Sequence, residues 1–525
     1  MFCRRRAGGG DVSGRRLLSR PVIVEKYRSE NDGAYPEKVA VVLWAVESLR
    51  NEGLNEATIL ALVGMEPVWN QRGEVRGVAP IPAARLGRPR IDVVANASGL
   101  YRDLFPDKIR FIDNAIRQAA TLTDVENFIT ANDARMAARL VESGMDADAA
   151  ARLSRARVFS EAPGAYGNRV SELVSASGLW ENDTAVSEVF LRHSGYAYGE
   201  DNWGTPAEKA LAENLANAGA AWHSSSSNVY GLMDNDDMFM YLGGMSLAIK
   251  HLSGRAPATM ITEQRSGGSV AVRDLRFMLG REMRARYLNP KWIEGMKAEN
   301  YAGAGELSHY VEYLWGWQVT TPDEIDAVMW EQTYEVYVAD KYGLDVKGFM
   351  AENNPWAFQS LTGRMLESVR KGYWDAGEDV RRTLAVEYAM NVITRGVACC
   401  DHTCNNPQLN QMVMNIISLP GVMSPELAAE FKLAVEKAAT KNLNEQVTER
   451  RDLLDRLGDK PETPRRAEGA EQPDATENVK GLKMEPLEKE AEQAELSASG
   501  VEWFAAVFVL ALLLLFFLGM RRRAR

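Results

Sequence analysis

The sequence has few cysteines and no excess of basic residues. It contains four cysteines in 525 residues, and three of them lie in one short segment, Cys399, Cys400 and Cys404. This clustering excludes a fold held together by disulfides spread along the chain. Lysine and arginine number 61 against 72 aspartates and glutamates, a formal net charge of −11 at pH 7. The acidic balance argues against a nucleic-acid partner, because binding to phosphates needs a positive surface.

Several catalytic motifs are absent as well. The sequence contains no G-x-x-x-x-G-K-[ST], no G-x-S-x-G and no H-E-x-x-H. The first absence means that the chain has no P-loop of its own, and the other two argue against a serine hydrolase and a zinc protease. If the function uses a nucleoside triphosphate, a partner has to supply the ATPase.

The two ends of the sequence differ in hydropathy. Residues 1–20 include basic residues but lack the apolar run of a signal peptide, so we expect a disordered leader or a truncation seam. Trp503 to Met520 is an uncharged apolar run of 18 residues, which as a helix would span about 27 Å. We predict a transmembrane helix over residues 501–520. By the positive-inside rule the basic tail, 521–525, stays in the cytoplasm and the body lies on the extracytoplasmic side. A cytoplasmic, tail-anchored body is the alternative.

The first part of the body mixes two kinds of pattern. Over residues 21–200 the apolar spacing from Lys38 to Gly53 predicts a helix, whereas the β-branched run from Arg88 to Ser98 predicts a strand. This mixture indicates an α/β region.

The second part is more uniform. Helical patterns dominate residues 201–440, and Ser424 followed by Pro425 marks the start of one late helix. Residues 441–500 are rich in charge and proline, which predicts a disordered charged linker. We therefore expect a multi-domain fold with an α/β first half and a mainly α second half.

The segment from Asn289 to Trp317 combines carboxylates, one histidine and several aromatic residues. On a helix, Glu306 and His309 lie three positions apart on one face, with Tyr313 at helical spacing beside them. Such a pair can bind a metal ion or accept a proton. Three interpretations stay open: a helix with an aromatic core face, a metal site, or a pocket for a flat macrocycle.

A second candidate site is the cysteine-rich segment "ACCDHTCNN". Cys399, Cys400, His402 and Cys404 could place soft ligands around one metal ion. The same residues would also suit a redox-active thiol cluster or a loop that ligates haem iron. A partly buried turn without any ligand is the further alternative.

A third candidate is the segment "WHSSSSNVYGLMDNDDMFMYLGG". Asp234, Asp236 and Asp237 precede an apolar helix, where they could cap the helix or bind a hard cation. His223 and the serines after it could line a pocket or form an ordinary polar loop.

Taken together, eight segments in order resemble the C-terminal part of the CobN family of large chelatase subunits, which includes the cobaltochelatase large subunit and the H subunit of magnesium chelatase. The resemblance extends from Tyr27 to Trp374 and rests on segments such as "RVFSEAPGAYGNRV", "LMDNDDMFMYLGG", "RARYLNPKWIEGMKAENYAGAGEL" and "NPWAFQSLTGRMLESVRKGYW". It implies a tetrapyrrole substrate, insertion of a divalent metal (cobalt or magnesium), and ATP hydrolysis by separate AAA+ partner subunits. The absence of a P-loop motif from this sequence agrees with ATP hydrolysis by separate subunits.

The resemblance also directs attention to particular residues. A metal ion that enters a tetrapyrrole displaces two pyrrole protons, so the site needs a base and an aromatic wall. We predict acid–base roles for Glu299, Glu306 and His309. The residues predicted to bind the tetrapyrrole are Tyr301, Trp315, Trp317 and His223. Glu299 and Asn300 stand where the family commonly has histidine and glycine, and the serine run replaces a histidine-rich stretch of cobalt-type members, so the metal stays open.

The apolar tail and the cysteine segment resemble a subgroup, the membrane-anchored HmuS-like proteins encoded with haem-uptake systems. That subgroup implies removal of iron from haem instead of metal insertion. An inactive C-terminal fragment is the third alternative.

Overall fold

The computed structural model of the chain describes residues 22–440, with the exception of residues 266–269, 399–401 and 404. The predicted leader, linker, transmembrane helix and basic tail lie outside the described residues, as do Cys399, Cys400 and Cys404. In the part that is described, no helix is both long and apolar enough to cross a membrane. The membrane anchor therefore stays a prediction.

The described residues form one large sheet and a small hairpin. The strands are β1 (Lys38–Leu43), β2 (Met65–Trp69), β3 (Val75–Pro80), β4 (Asp92–Ala97), β5 (Val158–Ser160), β6 (Tyr196–Tyr198), β7 (Trp203–Pro206), β8 (Ala220–Ser225), β9 (Ala258–Glu263) and β10 (Ala271–Asp274). The sheet has the order β10-β9-β8-β1-β4-β5-β6-β7, and β2 and β3 form the separate hairpin.

Helices cover the sheet and then continue beyond it. In chain order the α-helices are α1 (Val22–Glu30), α2 (Ala45–Arg50), α3 (Leu54–Leu62), α4 (Ala83–Leu86), α5 (Gly99–Leu104), α6 (Pro106–Ala120), α7 (Phe128–Glu142), α8 (Ala147–Leu153), α9 (Val170–Ser175), α10 (Thr184–Ser194), α11 (Glu208–Leu215), α12 (Gly244–Ser253), α13 (Leu275–Glu282), α14 (Pro290–Lys297), α15 (Asn300–Thr320), α16 (Ala327–Tyr337), α17 (Val346–Asn353), α18 (Pro355–Arg370), α19 (Glu378–Arg395), α20 (Pro407–Ile417) and α21 (Pro425–Thr440). Two short π-helices, Phe239–Gly243 and Met283–Tyr287, precede α12 and follow α13.

The centre of the sheet is parallel and fully buried. β1 pairs in parallel with β4 and β8, β8 pairs with β9, and β4 pairs with β5. Every residue of β1, β4 and β8 is buried. Parallel strands covered by helices on both faces read as continuous apolar runs, which explains the composition of β1.

That composition also explains an error in the sequence-based prediction. The helix predicted from Lys38 to Gly53 is wrong in its first part, because Lys38–Leu43 form β1 and only Ala45–Arg50 are helical. A short run of apolar residues fits a buried strand as well as a buried helix. The strand predicted between Arg88 and Ser98 is confirmed as β4.

The sheet extends past the boundary predicted at residues 200 and 201. Strands β7 to β10 follow that boundary and end at Asp274. From Leu275 onward the described residues are helical, so the α/β first half and helical second half are confirmed in this coarser form. Ser424 accepts a hydrogen bond from the backbone N–H of Leu427 at 3.3 Å, as expected of the residue that caps α21.

The order of the strands creates a switch point. From β1 the chain moves to β4 on one side of the sheet, and later it returns to β8 on the other side of β1. In open parallel sheets, ligands bind outside the carboxyl ends of the strands where the order reverses. The carboxyl ends of β1, β4 and β8 are therefore the place where the fold favours a site.

Candidate active site

Polar side chains gather where these central strands end. Asn96 of β4 lies opposite Val42 of β1. Trp222 of β8 lies opposite Val41, so the next residue, His223, lies beside Val42. His223 and Asn96 therefore share one face of the sheet and flank β1, about 10 Å apart at two strand spacings.

Three further side chains lie beside His223 and Asn96 on the same face of the sheet. Trp44 follows β1 and its ring centroid lies 4.6 Å from the ring of His223 and 5.9 Å from the ring of Tyr241, edge-on in both cases. The hydroxyl of Tyr241 donates to Oε1 of Glu161, which follows β5, at 2.5 Å. We call His223, Asn96, Trp44, Tyr241 and Glu161 the switch-point cluster.

The cluster contains polar atoms that the protein does not pair. Among the residues that the structure describes, neither ring nitrogen of His223 has a hydrogen-bond partner of ordinary geometry, and the same holds for both amide atoms of Asn96 and the indole nitrogen of Trp44. His223 and Asn96 are 0% and 1% exposed. Buried polar atoms are nearly always paired, and exceptions indicate a bound ligand, a water or a catalytic role. Several such atoms lie together in the switch-point cluster, which indicates a binding position for a polar ligand.

The environment favours the neutral forms of His223 and Glu161, two titratable side chains of the cluster. Burial lowers the pKa of His223, with smaller opposing effects from the charge of Glu47 and from the backbone of Val42 beside the ring. Burial raises the pKa of Glu161, although hydrogen bonds from Tyr241 and Ser160 oppose that shift. A neutral imidazole can accept a proton and a carboxylic acid can donate one, so the pair suits proton transfer in either direction.

The position of Tyr241 depends on the contact between the first π-helix and α15. π-helices are rare and occur most often at functional sites. A methyl group placed on Gly316 of α15 would overlap the ring of Phe239, and one placed on Gly243 would overlap the side chain of Thr320. Glycine at both positions therefore allows the close approach that holds Tyr241 against Glu161.

The acid–base residues predicted on α15 lie elsewhere. Glu299, which precedes the helix, and Glu306 and His309 within it are all exposed. The ring of His309 lies 6.2 Å from the ring of Tyr313, and no hydrogen bond or ion pair within the described chain joins these residues to His223. Their predicted catalytic roles stay predictions, while His223 belongs to a different group of residues.

The aromatic residues predicted on α15 to bind the tetrapyrrole also lie outside the switch-point cluster. Tyr301 is 65% exposed, whereas Trp315 and Trp317 are fully buried in the helical core. The indole N–H of Trp315 donates to the carbonyl of Val174 at 3.0 Å, and that of Trp317 donates to the carbonyl of Leu232 at 2.9 Å. Both tryptophans therefore join α15 to preceding segments, and in this arrangement neither presents an aromatic face to solvent.

His402 is the one member of the cysteine segment's predicted ligand set that the structure describes. It is buried, with Nε2 at 2.9 Å from Oγ of Ser360 and 3.2 Å from Oε1 of Glu312. Burial, and then the charge of Arg364, lowers its pKa to about 4. Across the described ranges no group of three or more His, Cys, Asp or Glu side chains is arranged to hold a metal ion. The metal site predicted with Cys399, Cys400 and Cys404 stays a prediction.

The aspartates before the first π-helix have separate roles. Asp234 accepts hydrogen bonds from the hydroxyl of Tyr287 at 2.6 Å and from Arg286 at 2.7 Å, so its carboxylate is occupied within the protein. Asp236 and Asp237 are exposed. Burial, followed by the charges of Asp236 and Glu306, raises the pKa of Tyr313 to about 12, which shows that this loop and α15 face each other.

Four members of the switch-point cluster were not predicted from the sequence: Trp44, Asn96, Glu161 and Tyr241. For Trp44, Asn96 and Glu161 the available sequence signal is a polar or aromatic residue at the carboxyl end of a buried strand. That signal requires the strand order, which brings β1, β4, β5 and β8 together from distant parts of the chain.

Comparisons with known proteins agree with the earlier resemblance. Residues 13–381 match the family model described as CobN/Magnesium Chelatase. The chain is 34% identical over 358 residues to the aerobic cobaltochelatase subunit CobN of a Sinorhizobium species, covering 68% of this chain and 28% of that protein. It is 31% identical over 370 residues to the H subunit of magnesium chelatase from Chlorobaculum parvum, covering 70% of this chain and 28% of that protein.

A solved structure shows the same fold. The catalytic subunit of cobaltochelatase from Mycobacterium tuberculosis superposes with a TM-score of 0.66 at 31% sequence identity, covering 72% of this chain and 31% of that one. In each of these three comparisons the match spans less than a third of the other protein's length.

Proposed function

Because the chain belongs to the CobN/magnesium chelatase family, we propose that it exchanges a divalent metal ion for the two pyrrole protons of a tetrapyrrole, and that the switch-point cluster is where this exchange occurs. The observation that supports the location most strongly is the set of unpaired buried atoms on His223, Asn96 and Trp44. The proposed metals are cobalt and magnesium, since the relatives are named for them.

Each residue of the cluster has a role in this proposal. An unpaired ring nitrogen of His223 accepts a proton that leaves the macrocycle, because burial keeps the imidazole neutral. Glu161 accepts the second proton on its carboxylate, because burial raises the pKa of this group, and the hydroxyl of Tyr241 donates a hydrogen bond to it. The ring of Trp44 supplies a flat apolar surface, and the amide of Asn96 offers both a donor and an acceptor.

The energy for the exchange would come from other proteins. The chain has no P-loop, so we propose AAA+ partner subunits that hydrolyse ATP. The metal-binding and acid–base roles predicted on α15 and in the cysteine segment are kept as alternative positions for the chemistry. The membrane anchor and an extracytoplasmic body likewise remain proposals.

A visible-absorption titration tests substrate binding. The full chain would be titrated with a metal-free porphyrin and with haem, and we expect Trp44→Leu to weaken binding of the ring about tenfold, because it removes an aromatic surface. Trp203→Leu is the matched control, since Trp203 is also accessible, at 42%, but lies on the edge strand β7.

The titration also separates the alternatives. Binding of the metal-free ring with later uptake of metal supports insertion. Loss of iron from bound haem supports the reverse reaction, in which two protons are delivered to the pyrrole nitrogens. If neither ring binds, the proposed function is wrong and an inactive fragment remains.

A further inference from the structure

The turn that follows β5 carries Glu161 into the switch-point cluster, and a buried arginine contacts that turn. Arg102 lies on α5, the helix that follows β4, and is 2% exposed. Its Nη1 donates to the carbonyl oxygens of Glu161, Ala162 and Ala165 at 3.2, 2.8 and 3.2 Å. One guanidinium nitrogen therefore contacts three carbonyls of the turn from which the side chain of Glu161 projects.

A carboxylate fixes the guanidinium in that position. Nε and Nη2 of Arg102 donate to the two carboxylate oxygens of Asp103 at 2.7 and 2.9 Å, and the hydroxyl of Tyr166 donates to the same carboxylate at 2.6 Å. Although burial opposes it, the hydrogen bond to Asp103 raises the pKa of Arg102, so the guanidinium stays charged. A planar guanidinium bonded on both edges has little freedom to rotate, which suits it to hold backbone atoms in place.

Two further contacts restrict the same turn. The hydroxyl of Tyr198 on β6 donates to the carbonyl of Glu161 at 2.6 Å. A methyl group placed on Gly99, at the start of α5, would lie 2.6 Å from the carbonyl oxygen of Ala165, so glycine allows α5 to approach the turn closely. The backbone of Glu161 is thus fixed both from α5 and from β6.

The position of the Glu161 carboxyl depends on this backbone. Oε1 accepts from Tyr241, Oε2 accepts from Ser160 at 2.8 Å, and Glu161 is 1% exposed. Farther along the segment, Nδ2 of Asn168 donates at 3.1 Å to the carbonyl of Met240, the residue before Tyr241. A displacement of about 1 Å at a reacting group can cost about 100-fold in rate, so proton acceptance by Glu161 needs a fixed backbone.

We propose that Arg102 is a positioning residue for metal exchange: it fixes the backbone of residues 161–165 so that the carboxyl of Glu161 meets the hydroxyl of Tyr241 in the switch-point cluster. This inference rests on the proposed function and adds to it the residue that holds the proton acceptor in place. Arg102 acts through the turn, since its hydrogen bonds go to backbone carbonyls and to Asp103.

Arg102→Lys tests the proposal in the full chain, with AAA+ partner subunits and ATP present. Lysine keeps the positive charge, but without a planar fork it cannot bond Asp103 in two places and contact the three carbonyls as well. We expect the variant to bind the tetrapyrrole as tightly as the unmodified chain and to exchange metal about tenfold more slowly.

Asp103→Asn is a milder variant with the same purpose. Asp103 is partly exposed, at 41%, so the protein should stay folded, while the guanidinium is held less firmly. We expect metal exchange to be about threefold slower, with binding of the tetrapyrrole unchanged. An unchanged rate in this variant would contradict the proposal even if Arg102→Lys failed to fold.

Arg88→Lys is the matched control. Arg88 is also a buried arginine, 8% exposed, and it also donates to three backbone carbonyls, those of Ala61, Leu62 and Pro89. It precedes β4 at the amino end of that strand, away from the switch-point cluster. Arg88→Lys should lower the midpoint of thermal unfolding, as Arg102→Lys does, and should leave the rate of metal exchange unchanged.

Infrared spectra report on the contact directly. The C=O stretch of protonated Glu161 is identified as the band that is missing in Glu161→Gln, and its frequency rises when the carbonyl oxygen loses a hydrogen bond. We expect a higher frequency in Arg102→Lys, because the bond from Tyr241 is lengthened or lost, and an unchanged frequency in Arg88→Lys.

The outcomes are distinguishable. If Arg102→Lys has the rate and the band of the unmodified chain, or if Arg88→Lys slows exchange as much, Arg102 does not position Glu161, and this inference is wrong while the proposed function stands. If the unmodified chain exchanges no metal, the proposed function is wrong and a role of Arg102 in exchange is wrong with it, whatever the infrared band shows of the contact.

Discussion

At the scale of single residues, the proposed site depends on His223, a buried side chain whose ring nitrogens have no hydrogen-bond partner of ordinary geometry among the described residues. His223 is fully buried on a central strand, and a packing role alone would be filled at lower cost by an apolar residue. Glu161, across the cluster, is buried too, and its pKa shifts in the opposite sense. Paired shifts of this kind are typical of acid–base sites, and structural networks alone give them less often.

The first prediction concerns Glu161→Gln. Glutamine retains an oxygen that accepts from the hydroxyl of Tyr241, so the cluster should stay folded and bind the ring, but the side chain can no longer hold a transferable proton. We expect the rate of metal exchange to fall about 100-fold or more. The rate would be measured by visible absorption, with thermal unfolding as the check on folding.

Glu306→Gln is the comparison for that experiment. Glu306 is exposed on α15, so the variant should retain the rate if the cluster is the site. Loss of activity in Glu306→Gln together with retention in Glu161→Gln would instead place the chemistry on α15.

A second prediction concerns His402 and stability. Its pKa is lowered from 6.5 to about 4, so between these values the unfolded state binds a proton that the folded state does not. The free energy of unfolding should therefore decrease as pH falls from 6.5 toward 4, by about 3 kcal/mol from this group. Urea unfolding of the full chain and of His402→Gln at several pH values measures the difference.

His402→Gln is the control for this pH dependence. A glutamine side chain at this position cannot titrate, so the stability of His402→Gln should depend less on pH over that interval. Identical pH profiles for both proteins would show that the folded environment does not depress the pKa.

At the scale of elements, the close contact between α15 and the first π-helix connects the helical core to the sheet. Gly316 meets the ring of Phe239 there, and the π-helix places Tyr241 over the carboxyl end of β1. The sequence predicts α15 because its aromatic residues recur at helical spacing, but it does not predict the contact. Nothing local distinguishes Gly316 from Gly305, which has open space beside it.

The third prediction uses these two glycines. Gly316→Ala adds a methyl group that overlaps Phe239, so we expect it to cost about 1–3 kcal/mol and to displace Tyr241. Gly305→Ala, on the same helix, should stabilise the protein by up to about 1 kcal/mol, because alanine favours the helix and meets no atom within 4 Å. Denaturant unfolding compares them, and equal effects of both variants would contradict the packing described.

How much of the fold can be predicted from the sequence depends on the element. Strand β4 and the cap at Ser424 follow from local patterns, whereas the apolar spacing from Lys38 to Gly53 predicts a helix where β1 lies, because a short apolar run fits a buried strand as well as a buried helix. His223 was singled out as a pocket residue from the composition around it. Its partners could not be found in this way, since strand order, a property of the whole sheet, brings Glu161 and Asn96 near it.

At the scale of the whole molecule, the fold and the family are those of chelatase large subunits, but the chain spans less than a third of the relatives compared. The sequence contains no P-loop, and the proposed function assigns ATP hydrolysis to AAA+ partner subunits. In that proposal the switch-point cluster is the chain's contribution to the reaction, as the place for proton exchange.

A fourth prediction follows for the isolated chain. It should bind a tetrapyrrole without ATP and hydrolyse no ATP, and metal exchange should accelerate when AAA+ partner subunits and ATP are added. A phosphate-release assay beside the absorption measurement checks both points. ATP hydrolysis by the chain alone would contradict this division.

The measurement that tests the central claim most directly is the rate of metal exchange in His223→Gln and His309→Gln, with AAA+ partner subunits and ATP present and ring binding measured in parallel. We predict that His223→Gln still binds the ring but exchanges metal at least about 100-fold more slowly, whereas His309→Gln behaves like the unmodified chain. An unchanged rate in His223→Gln, with loss of exchange in His309→Gln, would contradict the assignment of the site to the carboxyl ends of β1 and β8.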